Sequence, residues 1–171
     1  MKERAKLLQN NGDIHWIEIL ENKMAERSVA IAAARINIVE IISSAIEQAT
    51  TSFPKALIKV NGYVENILYN GYKAIDAEFI VKKDIFNSRR NDKFSGRSNY
   101  GCHKSDLEVV HPRKKMIAKL CSTGEQKAML LSIIMAKAKA KSIWKNQVPI
   151  ILFDEVVSHL DQKRKDELLE E

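Results

Sequence analysis

The strongest constraint on the fold comes from residues 148–153, a continuous apolar run that is followed at once by two acidic residues. A short run of this kind is typical of a strand buried in a parallel sheet. Upstream, residues 122–141 are apolar over most of the circumference of a helix, which predicts burial on more than one side. A buried helix that leads into a buried strand predicts an α/β layer fold.

Asp154 and Glu155 are the two acids that end the predicted strand. Because buried carboxylates are costly, we expect them at the carboxyl edge of the sheet, where α/β proteins bind ligands. A Walker B strand ends in this way, with the first acid serving Mg²⁺ and the second acting on the attacking water. The alternative is a carboxylate pair that only caps the following helix.

Residues 122–126, with the sequence STGEQ, open the predicted helix. Free backbone N–H groups and the helix dipole suit this end to a phosphate, and the Ser122 hydroxyl can donate as well. Ser122 and Glu125 also fit a capping box, which is compatible with phosphate binding. SHLD follows the acid pair at residues 158–161. The order STGEQ, DE and SHLD matches the signature motif, Walker B strand and D-loop of ABC-type ATPases.

A long helix is predicted over residues 13–48, because apolar residues recur there in steps of three and four. Asp13 is the expected N-cap, with Gly12 as a breaker ahead of it. A stripe of this length indicates either a protruding arm or a helix packed across an ordinary domain. Further expectations are a strand at 56–60 entering a turn at Asn61 and Gly62, a helix at 73–88, a flexible loop at 87–99 and a strand at 107–110.

Positive charge is concentrated between residues 73 and 119, where 12 Lys and Arg stand against 6 Asp and Glu. The net charge of the whole chain is also +6, so the remainder is balanced. Interspersed aromatic residues make the segment suitable for tracking a phosphate backbone through counterion release. The candidate DNA-binding residues are Arg89, Arg90, Arg113 and Lys114. The alternative is a solvated, lysine-rich face.

The two cysteines, Cys102 and Cys121, form no CxxC pair, so neither a disulfide framework nor a zinc site is expected. No uninterrupted apolar stretch reaches the roughly 18 residues of a membrane span, and the first residues lack an apolar signal core. We therefore expect a cytoplasmic protein that does not contact a membrane.

The three motifs and the sequence around them resemble the C-terminal half of the RecF family of DNA replication and repair proteins. The resemblance rests on CSTGEQKAMLLSIIMAKAKA, on PIILFDEVVSHLDQKRKDELLEE, on GCHKSDL at 101–107, which is similar to the family's GPHRxDL segment, and on MAERSVAIAAAR, which is similar to its arm. The resemblance implies part of an ABC-type ATPase head with a long helical arm. The expected division is an arm at 1–55, a mixed strand and helix basic segment at 56–120, and a head segment at 121–171.

The resemblance also implies an activity, because RecF proteins bind ATP and DNA, dimerise around nucleotide, and act with recombination mediators at single-stranded or gapped DNA during repair, replication restart and the SOS response. Ser122, Gly124 and Gln126 would then contact the γ-phosphate of ATP held by the opposing subunit. Asp154 would serve Mg²⁺ and Glu155 would orient water. Ser158 and Asp161 would lie in the D-loop at the dimer interface.

A phosphate-cradling P-loop, GxxxxGK[ST], is absent from the sequence. Gly96 and Gly101 have the required separation, but Cys102 and His103 occupy the lysine and hydroxyl positions, and a strand, not a helix, is expected next. We therefore expect a fragment that is inactive alone. The alternatives are a non-catalytic remnant or binding module, or a fragment of another ABC ATPase of the cohesin or Rad50 type.

Overall fold

The computed structural model describes residues 1–145, 148–153, 160 and 162–170. Within these residues the fold is helical with one small sheet, in which β1 pairs with β2. The helices are α1 (Lys2–Gln9), α2 (Ile14–Gln48), α3 (Tyr63–Tyr69), α4 (Ala74–Asn87), α5 (Arg89–Ser95), α6 (Thr123–Lys145) and α7 (Gln162–Glu170), and the strands are β1 (Leu57–Asn61) and β2 (Asp106–Val110).

The chain forms two compact units. The first contains Met1–Ile36 and Val60–Asp106, and the second contains Asn37–Lys59 and Leu107–Glu171. The division into an arm at 1–55, a basic segment at 56–120 and a head segment at 121–171 stays a prediction.

The predicted long helix is confirmed as α2. The Oδ1 atom of Asp13 accepts a hydrogen bond from the backbone N–H of His15 at 2.8 Å, which caps the helix as expected. Gly12 avoids crowding ahead of the cap, because a Cβ there would lie 2.7 Å from Cδ2 of Leu7, which would have to shift. The close approach lets α1 end next to the start of α2.

The core of the first unit lies where α2 meets α3 and α4. Ala77, Val81 and Ile85 recur every fourth residue along α4, so they share one face, and all three are fully buried. The same cluster contains Met24, Ala25, Val29 and Ala32 from α2 with Val64 and Ile67 from α3.

The second unit is organised around α6, which is buried on several sides as predicted. Ala128 and Leu131 pack with Phe53, while Met129 packs with Ala56 and Cys121. A third contact joins Ala136 to the last turns of α2 at Ile42, Ala45 and Ile46. Because several sides of α6 are covered by other parts of the second unit, apolar residues occupy most of its circumference.

Two local predictions are wrong. Asn61 and Gly62 do not make a turn, because Gly62 is the N-cap of α3, which begins at Tyr63. Residues 87–99 are not a flexible loop, because α5 occupies Arg89–Ser95 and Gly96 ends it in the left-handed conformation, with φ of 67°. The polar residues of this segment suggested exposure to solvent, but the carboxylate of Asp92 is fully buried and paired with Arg4, which holds the segment in place.

The buried strand predicted at 148–153 is also wrong in this structure. These residues have no regular secondary structure, and the side chains of Val148, Ile150 and Leu152 are 87%, 91% and 91% exposed. Pro149, Ile151 and Phe153 are half-buried. A strand requires a neighbouring strand for its backbone hydrogen bonds, and the only sheet in the described part of the chain is the pair β1 and β2.

Helix α2 is long and apolar enough to cross a membrane, by length and composition alone. Helices in protein cores meet the same criterion. Glu21 is buried on α2 and paired with Arg4 and Arg89, and Met24 lies in the core of the first unit. This part of the helix therefore packs against protein.

Candidate functional site

The start of α6 forms the capping box that the sequence predicts. The Oε2 atom of Glu125 accepts the backbone N–H of Ser122 at 3.1 Å and its hydroxyl at 2.9 Å. In return, the hydroxyl oxygen of Ser122 accepts the backbone N–H of Glu125 at 3.4 Å. The amide of Gln126 turns back to donate to the carbonyl of Cys121 at 3.0 Å. These bonds fix the backbone at the helix end.

Glu125 also binds the preceding loop. Its Oε1 atom lies 2.6 Å from Nζ of Lys114 and 3.9 Å from Nε2 of His111. The hydrogen bond from Lys114, followed by those from Ser122, lowers the pKa of Glu125 from 4.5 to about 2. The same bond raises the pKa of Lys114 above its usual value. Both groups are therefore charged over the whole neutral range.

A tight loop at residues 111–116 places Lys114 next to Glu125. The Nδ1 atom of His111 accepts the backbone N–H groups of Arg113 and Lys114, each at 3.3 Å. The backbone N–H of His111 donates to the carbonyl of Met116 at 2.8 Å, and Lys115 adopts a positive φ of 53°. The buried imidazole thus holds two consecutive cationic residues at the rim of the site.

An open depression of about 820 Å³ lies at the start of α6. Its walls include Ser122, Gly124 and Glu125 from the helix end, and four cationic side chains, which are Lys55, Arg113, Lys114 and Arg164. A Cβ added at Gly124 would meet nothing within 4 Å, so packing in the part of the chain that the structure describes does not require a glycine there. The helix end is open and carries excess positive charge, which suits an anionic ligand.

The other predicted nucleotide-site residues belong to the Walker B and D-loop motifs. Asp154, Glu155, Ser158 and Asp161 lie outside the described residues. No group of three or more His, Cys, Asp or Glu that could hold a metal ion occurs in the part of the chain that the structure describes. The predicted roles of these four residues stay predictions.

Of the four candidate DNA-binding residues, two already have acidic partners. Arg89 donates from Nε and Nη2 to the carboxylate of Glu21 at 3.0 and 2.7 Å, and its guanidinium lies over the ring of Phe86 at 4.3 Å. Lys114 is paired with Glu125. Arg90 and Arg113 are exposed. The geometry therefore favours Arg90 and Arg113 for phosphate contacts.

Sequence reasoning missed Lys55, His111 and Arg164. Lys55 and His111 lie outside the motifs, and Arg164 follows the SHLD motif without belonging to it. Tertiary packing brings the three to one depression. The pair His111 and Pro112, next to three cationic residues, was the only available signal.

No protein-family model matches the sequence. Curated relatives match it over 99% of its length. The DNA replication and repair protein RecF of Rickettsia conorii (strain ATCC VR-613 / Malish 7) is 41% identical over 171 residues, and that of Rickettsia massiliae (strain Mtu5) is also 41% identical. The alignment covers 47% of each relative, so the chain spans about half the length of the curated relatives it matches.

Solved structures show the same fold. The recombination mediator protein RecF-ATP in the RecFOR pathway matches with a TM-score of 0.80 and 20% identity, over 98% of this chain and 46% of that one. The corresponding RecF-ATPrS structure gives a TM-score of 0.80 with 18% identity over the same shares. The predicted fold class, part of an ABC-type ATPase head with a long helix, is confirmed.

Proposed function

Because the chain is related over 99% of its length to the RecF proteins of DNA replication and repair, we propose that it forms the signature-bearing part of a RecF-type ATPase that acts on DNA. The observation that carries the proposal is the open start of α6, where Ser122 and Gly124 face a depression with four cationic side chains. Packing among the described residues does not require a glycine at position 124, and close approach of a ligand would require one.

In this proposal the ligand is the γ-phosphate of ATP held by an opposing subunit. The backbone N–H of Gly124 contacts it at the helix end, and the Ser122 hydroxyl contacts it by turning from Oε2 of Glu125 to the phosphate. Gln126 fixes the backbone beside them. Arg113, whose side chain is exposed at the rim, adds positive charge. The sequence motifs supply the remaining roles: Asp154 for Mg²⁺, Glu155 for the attacking water, and Ser158 and Asp161 for the subunit interface.

The proposed cellular role is inferred from the relatives. We propose that the complete assembly binds single-stranded or gapped duplex DNA in the cytoplasm, works with recombination mediator proteins, and serves repair, recombination and replication restart. One solved relative is described as a recombination mediator in the RecFOR pathway, which supports this assignment. The excess charge between residues 73 and 119 supports DNA as the partner.

Substitution of Gly124 by Ala tests the nucleotide contact. In a head rebuilt by adding the complementary half of Rickettsia conorii RecF, we expect ATP-dependent association of the heads to weaken about tenfold, because the added methyl group would keep the phosphate from the backbone N–H groups and so weaken one charge-assisted hydrogen bond. The melting temperature of the chain should not fall, because Ala fits the space and favours helix. Thr123→Ala, in the same exposed turn, is the matched control. Unchanged association in Gly124→Ala, measured by sedimentation, would contradict the proposed contact.

DNA binding is tested by filter binding of the chain to a gapped duplex. We expect sequence-indifferent binding that weakens steeply with salt, and a marked loss after reversal of Arg90 and Arg113 to Glu. Arg89 and Lys114 are unsuitable for reversal, because their acidic partners Glu21 and Glu125 would be left unpaired. Equal binding by wild type and the double variant would show that these two charges are only solvated.

A further inference from the structure

A second basic concavity, of about 570 Å³, lies in the first unit. Lys2 from α1 forms one side, and Arg97, His103 and Lys104 from the loop after α5 form the other. No Asp or Glu is among the described residues that line it. We propose that this cleft binds the phosphodiester backbone of nucleic acid, which rests on the proposed DNA function and gives it a specific surface.

Both walls of the cleft are held by one buried carboxylate. The Oδ2 atom of Asp92 lies 2.6 Å from Nη1 of Arg4, which belongs to α1. Its Oδ1 atom accepts the backbone N–H of Asn99 at 3.0 Å and the side-chain amide of Asn99 at 2.7 Å. Because Asp92 is fully buried, its carboxylate makes these three bonds without competition from bulk water. The cationic side chains therefore stand on a backbone whose position is fixed before a ligand arrives.

Two glycines give the loop its concave course. Gly96 ends α5 with φ of 67°, and Gly101 has φ of 132°, both in the region that favours glycine. A Cβ at Gly101 would also lie 3.2 Å from Nδ1 of His103 and 3.4 Å from the hydroxyl of Ser28. The Nε2 atom of His103 lies 3.0 Å from the carbonyl of Ser98. The loop is thus folded back on itself, and its charged side chains project from one short segment.

The charges in the cleft are available for a ligand. Among the described residues, the guanidinium of Arg97 and the ammonium of Lys2 have no ion-pair or hydrogen-bond partner, and both side chains are exposed. Lys104 has only a long contact of 3.4 Å to the amide oxygen of Asn99. Arg4 and Arg89 in the same unit are instead fully engaged by acids. An unneutralised cationic group of this kind attracts a polyanion and releases its counterions.

The cleft does not have the geometry of a nucleotide P-loop, although Gly96 and Gly101 have the matching separation. A P-loop leads into a helix whose free N–H groups surround the phosphates, whereas here a 3-10 turn at Cys102–Lys104 and then strand β2 follow. Phosphate recognition would come from side-chain charge on both walls. Such contacts carry no information on base sequence, so we infer backbone binding without base readout.

The test is fluorescence anisotropy of the full chain with a labelled oligonucleotide over a series of salt concentrations. For Arg97→Glu combined with Lys104→Glu we expect the Kd to rise about tenfold or more and the salt slope to fall by about two, since two phosphate contacts are lost. Lys137→Glu combined with Lys141→Glu changes the net charge equally at exposed positions of α6, and should leave the Kd within about twofold. Circular dichroism confirms that each variant is folded.

Each result has a distinct meaning. Loss of binding in the cleft variant but not in the α6 variant supports the cleft. Equal Kd values for wild type and both variants would show that the cleft is not the nucleic-acid site, while the proposal that the chain binds DNA would be unaffected. No binding by wild type at low salt would contradict both proposals. Inorganic phosphate, added at constant ionic strength, distinguishes the ligand source. If phosphate at millimolar concentration protects the wild-type cleft from thermal unfolding while DNA binding is unaffected by the cleft variant, the cleft takes free phosphate and the proposal is wrong.

Discussion

At the scale of single residues, the first unit depends on a buried group of charges. Arg4 is 1% exposed and donates to Glu21 at 2.9 Å, to Asp92 at 2.6 Å and to the carbonyl of Ile85 at 2.8 Å. Each member is stabilising only while its partners are present, because an unpaired charge in a protein interior carries its full desolvation cost.

Substitution of Asp92 by Ala should therefore lower the free energy of unfolding by about 3–5 kcal/mol. The change leaves Arg4 without one of its two acids and frees Asn99. Urea denaturation followed by circular dichroism measures the loss. Glu26→Ala, an exposed acid in the middle of α2, is the control and should change stability by less than about 0.5 kcal/mol. A similar small change in Asp92→Ala would show that the network is not required.

Glu125 gives a prediction on pH dependence. Its folded-state pKa is lowered to about 2, so the stabilisation from its bonds to Lys114 and Ser122 is fully present above the unfolded value near 4.5. It is lost as the pH falls from about 4.5 towards 2. An NMR titration of the Glu125 side-chain carboxyl should give a midpoint well below the ordinary pKa of 4.5. A midpoint at or above 4.5 for Glu125 would contradict the capping geometry.

Residue-scale features were predictable from the sequence where their partners are close along the chain. The capping box joins residues 122 and 125, and the N-cap joins residues 13 and 15, so local spacing sufficed. Asp92 could not be predicted as a buried group, because its partner Arg4 is 88 positions away. A polar sequence with a distant ion-pair partner has the same pattern as a loop.

At the scale of elements, the long amphipathic segments behaved as their periodicity predicts. Helices α2 and α6 match their expected ranges closely, because apolar spacing over many turns averages out local exceptions. The conformation of short segments was harder to predict, because it depends on the elements next to them in the chain. The expected turn at Asn61 and Gly62 became the start of α3, since Gly62 adopts an extended conformation that serves a helix N-cap.

Residues 148–153 show the limit of local prediction most clearly. Their composition suits a strand, but strand formation also requires backbone partners, which the described residues do not supply. The alternation of exposed and half-buried side chains leaves three large apolar groups in water. Exposed apolar segments with unpaired backbone tend to associate.

This alternation predicts opposite effects for two adjacent isoleucines. Ile150→Lys should reduce aggregation without lowering the melting temperature, because Ile150 is 91% exposed. Ile151→Lys should destabilise the fold by about 1–3 kcal/mol, because Ile151 lines an apolar concavity with Met135 and Leu168. Light scattering and thermal unfolding of both variants provide the comparison. The same response in both would mean that the alternation does not persist in solution.

At the scale of the whole molecule, the order of the motifs along the chain indicated the fold more strongly than any single motif did. STGEQ alone is a capping box and DE alone is a pair of acids, but their order along the chain matches one ATPase architecture. Relatives at 41% identity and a structural match at a TM-score of 0.80 agree with that assignment. The basic cleft and the depression at α6 required the folded structure, because their walls come from segments far apart in sequence.

We propose that residues 1–171 hold the signature side of a nucleotide site and that the nucleotide itself is held by a P-loop that these residues do not contain. Phosphoryl transfer depends on positioning and charge stabilisation, and no P-loop sequence is present in these 171 residues to position the β- and γ-phosphates. The most direct test is phosphate release from ATP and Mg²⁺ by the chain alone and after addition of the complementary half of Rickettsia conorii RecF, with Glu155→Gln as the catalytic control. We predict no turnover above background for the chain alone, turnover in the mixture, and ATP binding without turnover in the Glu155→Gln mixture. Turnover by the chain alone would contradict the need for a P-loop outside these residues, and equal turnover in the Glu155→Gln mixture would contradict the proposed role of Glu155.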